Sequence, residues 1–264
     1  IYGNLIGTDR DGLHAVPNGE FGIYIAMGAY HNFIGGMEQG KGNLISGNGV
    51  DGVYISDDAD IDNIIEGNNI GTDISGTKKL PNQNNGISVY GNKTFIGEYN
   101  TISGNMKNGV FLALSARRCV VIVNHIGTTK DGTQELGNGA AGVLVWGREN
   151  WIGGGGIYGP FEGNVISGNK YGVQLESFAS KNWVEGNLIG TDISGQSALP
   201  NEYGVYLRES ARENHIDENL ISGNTYTGIL LTGDRVSYNI IENNLIGANR
   251  EGTCLLYTSP SPRD

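Results

Sequence analysis

The chain has 264 residues, including 44 glycines, and its 28 acidic residues outnumber 17 basic ones to give a formal net charge of −11. This charge argues against nucleic acids and anionic membrane surfaces as partners. No apolar run approaches the ~18 residues of a membrane-spanning helix, so no membrane insertion is expected. Glycine is well above its usual share of ~7 %, without the triplet period of collagen.

Two related motifs recur from one end of the chain to the other. The first reads Asn-Leu-Ile-Gly-Thr-Asp at residues 4–9, and the second reads Asn-Leu-Ile-Ser-Gly-Asn at residues 43–48. Their first asparagines are Asn4, Asn43, Asn68, Asn100, Asn124, Asn164, Asn187, Asn219 and Asn244. Repeats at this spacing are typical of solenoids, whose units bury apolar residues only against their neighbours.

Two further motifs run in phase with these. A glycine followed by alternating aliphatic residues occurs eight times, at Gly22, Gly52, Gly86, Gly109, Gly142, Gly172, Gly204 and Gly228. Asn-x-Ile or Asn-x-Val follows at Asn32, Asn63, Asn150, Asn182, Asn214 and Asn239. The apolar residues alternate with period 2 in short runs, which predicts three short strands in each coil. The whole is predicted to be an all-β, single-stranded parallel β-helix of about eight coils and three parallel sheets, forming a rod of roughly 40 Å.

In each Asn-x-Ile motif the asparagine and the isoleucine share a face of the strand, so both are predicted to point inward. Asparagines at equivalent positions in successive coils would then hydrogen-bond as a ladder.

A second expectation concerns the long repeats, which carry Asp-x-x-Gly followed by Leu-Pro-Asn or a relative, as at residues 73–82 and 192–201. These turn-rich segments predict an excursion on one edge of the rod at every second coil, with the aspartate as turn former.

Strand parity also predicts an outward row of side chains two and four residues after each coil-opening glycine. Its aromatic and charged members form the candidate glycan-binding set: Tyr54, Tyr90, Phe111, Trp146, Glu176, Tyr206 and Arg208. Aromatic rings suit the C–H faces of sugars. Cross-strand aromatic packing that only stabilises the sheet is the alternative interpretation.

Within this row, Trp146, Glu176 and Arg208 fall on consecutive coils. They could form a glycan site or, with Glu176 and Arg208 as catalytic candidates, an acid/base pair. A surface ion pair worth ~0–1 kcal/mol explains the same residues without function.

Metal and cofactor sites find little support. Asp57, Asp58 and Asp60 form the densest acidic cluster and are a weak Ca²⁺ candidate, although a solvated turn explains them equally well. The four histidines do not occur in metal-ligand spacing. No cofactor is therefore predicted.

The phrases Gly-Asn-x-Ile-Gly-Thr-Asp, Leu-Pro-Asn and Asn-x-Ile-Ser-Gly-Asn resemble the right-handed parallel β-helix repeat proteins of bacteria, in the pectin-lyase-like superfamily. The resemblance covers residues 1–253 and implies a right-handed coil. Its relatives include polysaccharide lyases, hydrolases, epimerases, phage tailspikes and large surface proteins without known catalysis. The catalytic motifs of polygalacturonases, alginate epimerases and pectate lyases are missing, apart from Asp57-Asp58 without its partners.

The resemblance and the row together predict a secreted or cell-surface β-helix that serves as a structural stalk or adhesin and contacts a polysaccharide or cell-surface glycan. The alternative function is a polysaccharide lyase or glycoside hydrolase with its cleft around Glu176 and Arg208.

Both ends of the chain carry a separate expectation. The sequence begins within a repeat and lacks a signal peptide, which indicates a fragment from a bacterial metagenome. Residues 254–264 abandon the repeat motifs and resemble a translated sequencing-library adapter; a Pro/Ser-rich linker is the alternative. The predicted domain is therefore 1–253, and its unpaired strand edges predict edge-to-edge self-association.

Overall fold

The computed structural model describes residues 1–57, 62–154 and 163–256. Within these ranges the chain has no helix able to cross a membrane. It forms strands of two to five residues, because the aliphatic residues alternate over only a few positions before a glycine or asparagine turns the chain. In chain order the strands are β1 (Leu5–Ile6), β2 (Ile23–Ile25), β3 (Phe33–Gly35), β4 (Leu44–Ile45), β5 (Val53–Ile55), β6 (Ile64–Glu66), β7 (Asn69–Ile70), β8 (Ile87–Val89), β9 (Phe95–Gly97), β10 (Thr101–Ile102), β11 (Val110–Leu112), β12 (Val120–Val121), β13 (His125–Ile126), β14 (Ala141–Val145), β15 (Trp151–Gly153), β16 (Val165–Ile166), β17 (Tyr171–Leu175), β18 (Trp183–Glu185), β19 (Leu188–Ile189), β20 (Tyr203–Leu207), β21 (His215–Asp217), β22 (Leu220–Ile221), β23 (Thr227–Leu231), β24 (Ile240–Glu242) and β25 (Leu245–Ile246).

Every third strand belongs to the same sheet. Sheet I contains nine strands, in the order β1-β4-β7-β10-β13-β16-β19-β22-β25. Sheet II contains eight, in the order β2-β5-β8-β11-β14-β17-β20-β23, and sheet III contains the remaining eight, from β3 to β24. Neighbours pair in parallel with like residues in register, as Ile45 with Ile70. The predicted parallel β-helix with three sheets is confirmed.

Aliphatic side chains fill the inside of the solenoid. Ile45, Ile70 and Ile102 follow one another on sheet I with no exposed surface, and sheets II and III add their own rows to the same core. Burying each such side chain contributes about 1.5–3 kcal/mol, so the stack is stabilised coil by coil.

Asparagine ladders line the corners, as predicted. The longest joins the nine asparagines that open the first and second motifs, from Asn4 to Asn244, with amide-to-amide distances of 2.8–3.1 Å. A second ladder runs from Asn18 to Asn224. Most of these amides also donate to a backbone carbonyl of a neighbouring coil, as Asn164 Nδ2 does to Val121 O at 2.8 Å. The ladders therefore satisfy buried polar groups that the turns leave unpaired.

The third ladder is interrupted in the middle of the rod. It joins Asn32 to Asn63 and resumes at Asn150, but the two intervening positions are Thr94 and Cys119. Thr94 Oγ1 is buried without a hydrogen-bond partner among the described residues. The backbone N–H of Cys119 still donates to Asn150 Oδ1 at 3.0 Å, so the coil geometry is kept without the side-chain amide.

Cys119 provides a test of this core packing. Burial raises the pKa of its thiol to about 11, so the thiol is protonated at pH 8 and lacks the reactive thiolate. In the folded protein at pH 8, only the exposed Cys254 of the two cysteines is expected to react with an aromatic disulfide reagent. After unfolding in denaturant, both cysteines should react. Absorbance of the released thiolate measures this; two equivalents from the folded protein would contradict the packing.

The predicted excursions are short hairpins after alternate strands of sheet I. Their antiparallel bridges join Thr8 to Ala15, Thr72 to Lys79, Thr128 to Glu135, Thr191 to Ala198 and Ala248 to Leu255. The aspartate acts as turn former: Asp73 Oδ1 accepts from Ser75 Oγ and from two backbone N–H groups. Successive hairpins also contact each other, since Ile74 N donates to Gly12 O at 3.0 Å and the pattern repeats along the rod. They form one continuous ridge.

The last hairpin passes the predicted domain boundary. Cys254 and Leu256 occupy the positions that Lys78 and Leu80 hold in an earlier repeat, with the same backbone hydrogen bonds. The repeat conformation therefore extends three residues beyond Thr253. The adapter origin of residues 254–264 stays a prediction, and residues 257–264 lie outside the described residues.

Candidate functional site

The outer face of sheet II carries the predicted row of side chains in register. Tyr24, Tyr54 and Ser88 pair across successive strands at the first position of the row. At the second position of the row, backbone hydrogen bonds between coils continue beyond the ends of the strands. Trp146 N donates to Leu112 O at 2.8 Å, and Glu176 N donates to Val145 O at 3.1 Å. Equivalent residues of successive coils thus line up along the rod.

Aromatic rings form an unbroken contact series over the first five coils. We call it the aromatic row; it consists of Phe21, Tyr24, Tyr54, Tyr90, Phe111 and Trp146. Tyr54 and Tyr90 stack with centroids 5.1 Å apart, whereas Phe111 meets Trp146 edge to face at 4.9 Å. Part of the surface of each ring contacts its neighbours in the row, and these contacts stabilise the sheet.

The rings differ in how much surface they leave to solvent. Tyr24 is 59 % exposed, and Tyr54, Tyr90 and Trp146 are half-buried. Phe111 is only 7 % exposed because Tyr90 and Trp146 cover it from both sides. The expectation that Phe111 faces solvent is therefore wrong. Burial, together with the neighbouring tyrosines and Asp57, raises the pKa of Tyr54 to about 12, so its phenol stays neutral.

Glu176 is the centre of a polar cluster directly after the aromatic row. Its Oε1 accepts from Trp146 Nε1 at 2.9 Å, and its Oε2 accepts from Gln174 Nε2 at 2.6 Å. Arg208 Nε lies 3.3 Å from the same Oε2. The Glu176 side chain is 13 % exposed, while that of Arg208 is 37 % exposed. The structure therefore brings together the three residues that the sequence placed on consecutive coils.

Arg208 links this Glu176 cluster to a second group of aromatic residues. Its guanidinium lies 5.8 Å from the centroid of the Tyr206 ring, a cation–π contact. Tyr206 packs against Tyr171 at 5.4 Å and Tyr203 at 6.1 Å. Sequence reasoning missed Tyr171 and Tyr203, although both directly precede a coil-opening glycine, which is the signal that could have found them.

A further aromatic group, on sheet III, was also missed by sequence reasoning. Trp151, Trp183 and His215 stack face to face, with centroids 4.6 and 5.4 Å apart and ring planes within 9°. Each of the three occupies the x position of an Asn-x-Ile or Asn-x-Val motif, directly after Asn150, Asn182 or Asn214. Beside them, Glu185 has its pKa raised by burial and by the charges of Asp217 and Glu218. This group lies on a different face from the Glu176 cluster.

Side chains that could ligate a metal are not grouped in the part of the chain that the structure describes. Asp57 is exposed and accepts from Ser56 Oγ at 3.3 Å, while Asp58 and Asp60 lie outside the described residues. Over residues 1–57, 62–154 and 163–256, no three His, Cys, Asp or Glu side chains come together as metal ligands.

Comparison with solved structures relates the fold to alginate-modifying enzymes. A mutant of the periplasmic alginate epimerase AlgG aligns with a TM-score of 0.58 and 18 % identity, over 86 % of this chain and 47 % of that one. The A-module of the Azotobacter vinelandii mannuronan C-5 epimerase AlgE6 aligns with a TM-score of 0.44 and 15 % identity, over 79 % and 57 % of the two chains. The chain thus spans about half the length of AlgG. At this identity the likeness establishes the β-helix fold alone.

Sequence comparison gives the family. No curated protein is significantly similar to the chain. A family model described as "Periplasmic copper-binding protein (NosD)" matches residues 120–261, more than half of the chain. With its repeats stacked as three parallel sheets, the chain belongs to the NosD family of right-handed β-helix proteins.

Proposed function

We propose that this protein is a periplasmic or surface-displayed β-helix that binds a polysaccharide along the outer face of sheet II and serves as a stalk or adhesin. The binding face comprises the half-buried rings of Tyr54, Tyr90, Trp146 and Tyr206 with the Glu176–Arg208 pair. A row in register along the rod suits a linear ligand, because successive sugars meet equivalent residues in successive coils.

The hydrogen bonds of the Glu176 carboxylate are the observation that favours binding over catalysis. Both of its carboxylate oxygens are engaged, by Trp146, Gln174 and Arg208. A general acid or base needs an oxygen within reach of the substrate proton. A carboxylate held by three donors acts instead as a fixed acceptor that orients the Trp146 ring for stacking on a sugar and Arg208 for contact with sugar hydroxyls.

The family description supports a location outside the cytoplasm, since it names periplasmic proteins. It also names copper, for which the described residues offer no fitting site. Copper favours sulfur and imidazole ligands. Here His125 and His215 lie on β13 and β21, His14 and His31 lie in two separate turns, and Cys119 is buried in the core. The proposed binding mode rests on aromatic and charged side chains of sheet II and is independent of copper.

Removing two rings tests the proposal. The Trp146→Ala/Tyr206→Ala variant is expected to bind polysaccharide about 10- to 100-fold more weakly, since aromatic anchors dominate such contacts. A glycan array identifies the ligand and isothermal titration calorimetry measures the dissociation constant. Trp146→Phe keeps the ring but removes the N–H that Glu176 accepts, so its loss should be smaller.

Tyr99→Ala is the matched control, because Tyr99 is 57 % exposed and lies between sheets III and I. It should bind like the wild type. Unchanged binding in the double variant would reject the site on sheet II. Release of unsaturated sugars from polyuronates, seen as ultraviolet absorbance and lost in Glu176→Gln, would replace binding with the lyase alternative.

A further inference from the structure

Three arginines lie in one line at the corner between sheets II and III, a set we call the arginine corner. Arg117 pairs with Arg148 across adjacent coils, and the line continues through Ser180 to Arg212. Backbone hydrogen bonds fix the corner, since Arg148 N donates to Ala116 O. All three arginines are exposed.

Two cations in or beside this corner, Arg118 and Arg212, have carboxylate partners. Arg118 pairs with Glu149 at 3.2 Å, and Arg212 lies 4.0 Å from Glu213. Among the described residues no carboxylate lies within ion-pair distance of the Arg117 or Arg148 guanidinium. In a chain with a net charge of −11, two exposed arginines on adjacent coils without an ion-pair partner in the described part of the chain form a local positive site.

The surface here is concave and joins the site already described. The three arginines line a depression together with Trp146, Phe178 and Ser180. Trp146 also donates to Glu176, so the same indole borders both the depression and the Glu176 cluster. A ligand lying on Trp146 therefore reaches the arginine corner on one side and Arg208 on the other.

We infer that the arginine corner is an anion subsite, and that the polysaccharide bound by this protein carries oxyanions, as carboxylates or sulfate esters. The planar guanidinium fork matches both groups with paired charge-assisted hydrogen bonds. Because the two backbones are bridged across adjacent coils and both side chains line the same depression, an oxyanion bound there would meet two positive charges and reduce their mutual repulsion. This inference rests on the proposed function and names its ligand class.

Two pairs of polysaccharides that share a backbone and differ in charge provide the test. Polygalacturonate is compared with its methyl ester, and dextran sulfate with dextran, by titration calorimetry. The charged member of at least one pair should bind about tenfold more tightly, and the pair that differs identifies carboxylate or sulfate as the ligand group. Raising NaCl from about 0.05 to about 0.5 M should weaken only charged ligands, because salt screens exposed charges.

Arg117→Ala/Arg148→Ala should abolish the preference for the charged member. Arg10→Ala/Lys107→Ala removes two exposed cations elsewhere and should preserve it. Arg117→Lys/Arg148→Lys keeps the charge but loses the fork, so the preference should fall to an intermediate value.

Equal binding of charged and uncharged members, or equal effects of the two alanine pairs, would overturn the anion subsite while the sheet II site stands. Wild-type binding by Trp146→Ala/Tyr206→Ala would instead reject the proposed function, and the anion subsite with it.

Discussion

Replacing Asn124 with alanine is expected to lower the free energy of unfolding by about 2–4 kcal/mol, because several buried polar groups each lose a hydrogen-bond partner at once. Asn124 has no exposed surface. Its Nδ2 donates to Ile96 O and Ile122 O, each at 2.9 Å, and its Oδ1 accepts from Asn100 Nδ2 at 2.8 Å. Alanine removes the side-chain donor to Ile122 O, one of the two donors to Ile96 O, which also accepts from Ile122 N, and one acceptor of Asn100 Nδ2. All of these groups lie in an interior that water does not reach.

Two further variants make this result specific to the ladder. Asn124→Asp keeps the shape of the side chain but places a carboxylate beside carbonyl oxygens, so it should be at least as destabilising as alanine. Asn92→Ala, at an exposed bend, should change stability by no more than about 0.5 kcal/mol. Urea unfolding followed by circular dichroism measures all three. An effect of Asn124→Ala equal to that of Asn92→Ala would show that the ladder does not stabilise the rod.

Gly127→Ala is expected to be the other strongly destabilising change, by about 3 kcal/mol or more, because the new Cβ would be both strained and in collision. Gly127 has φ +85°, a conformation that favours glycine. A Cβ there would overlap the carbonyl oxygen of Ser167 and the Oδ1 of Asn169 in the next coil. The close stacking of coils at this corner leaves no room for a methyl group.

Gly28→Ala separates the two causes. Gly28 has a similar φ of +74°, but no atom lies within 4 Å of the point that the new methyl group would occupy. Its replacement should therefore cost only the backbone term of about 1 kcal/mol. The difference in thermal unfolding midpoint between the two variants reports the collision alone. Equal midpoints would contradict the tight packing of Gly127 against Ser167.

The fold could be predicted from the sequence because a solenoid converts sequence period directly into spatial rows. Asn124 and Asn164 are 40 residues apart but hydrogen-bonded, and their identical motif was sufficient to place them together. The same logic placed Trp146, Glu176 and Arg208 on adjacent coils. Strand parity also gives the side of the sheet on which each side chain lies, so the sheet II face was predictable as a row.

Exposure within that face was not predictable, because it depends on the size and tilt of neighbours rather than on parity. Phe111 points outward from the core but is covered by Tyr90 and Trp146. The arginine corner escaped notice for a different reason. Arg117, Arg148 and Arg212 lie in turns, where no apolar alternation marks the register, and only the structure aligns them.

The same physical arrangement gives the rod its stability and its candidate site. Each row of like residues, whether isoleucine, asparagine or tyrosine, is stabilised by contact with its equivalents in adjacent coils. The proposed linear ligand would lie on the surface that the outer rows leave exposed along the rod. On sheet II that surface combines apolar rings, a fixed carboxylate and guanidinium groups within three coils.

Hydroxyl-radical footprinting with and without the bound polysaccharide tests the central claim, that the ligand lies along the outer face of sheet II. The account predicts reduced oxidation of Tyr54, Trp146 and Tyr206 on binding. Oxidation of Trp151 and Trp183, on sheet III, should not change. Protection of the sheet III tryptophans, with Trp146 and Tyr206 oxidised as in the free protein, would contradict it.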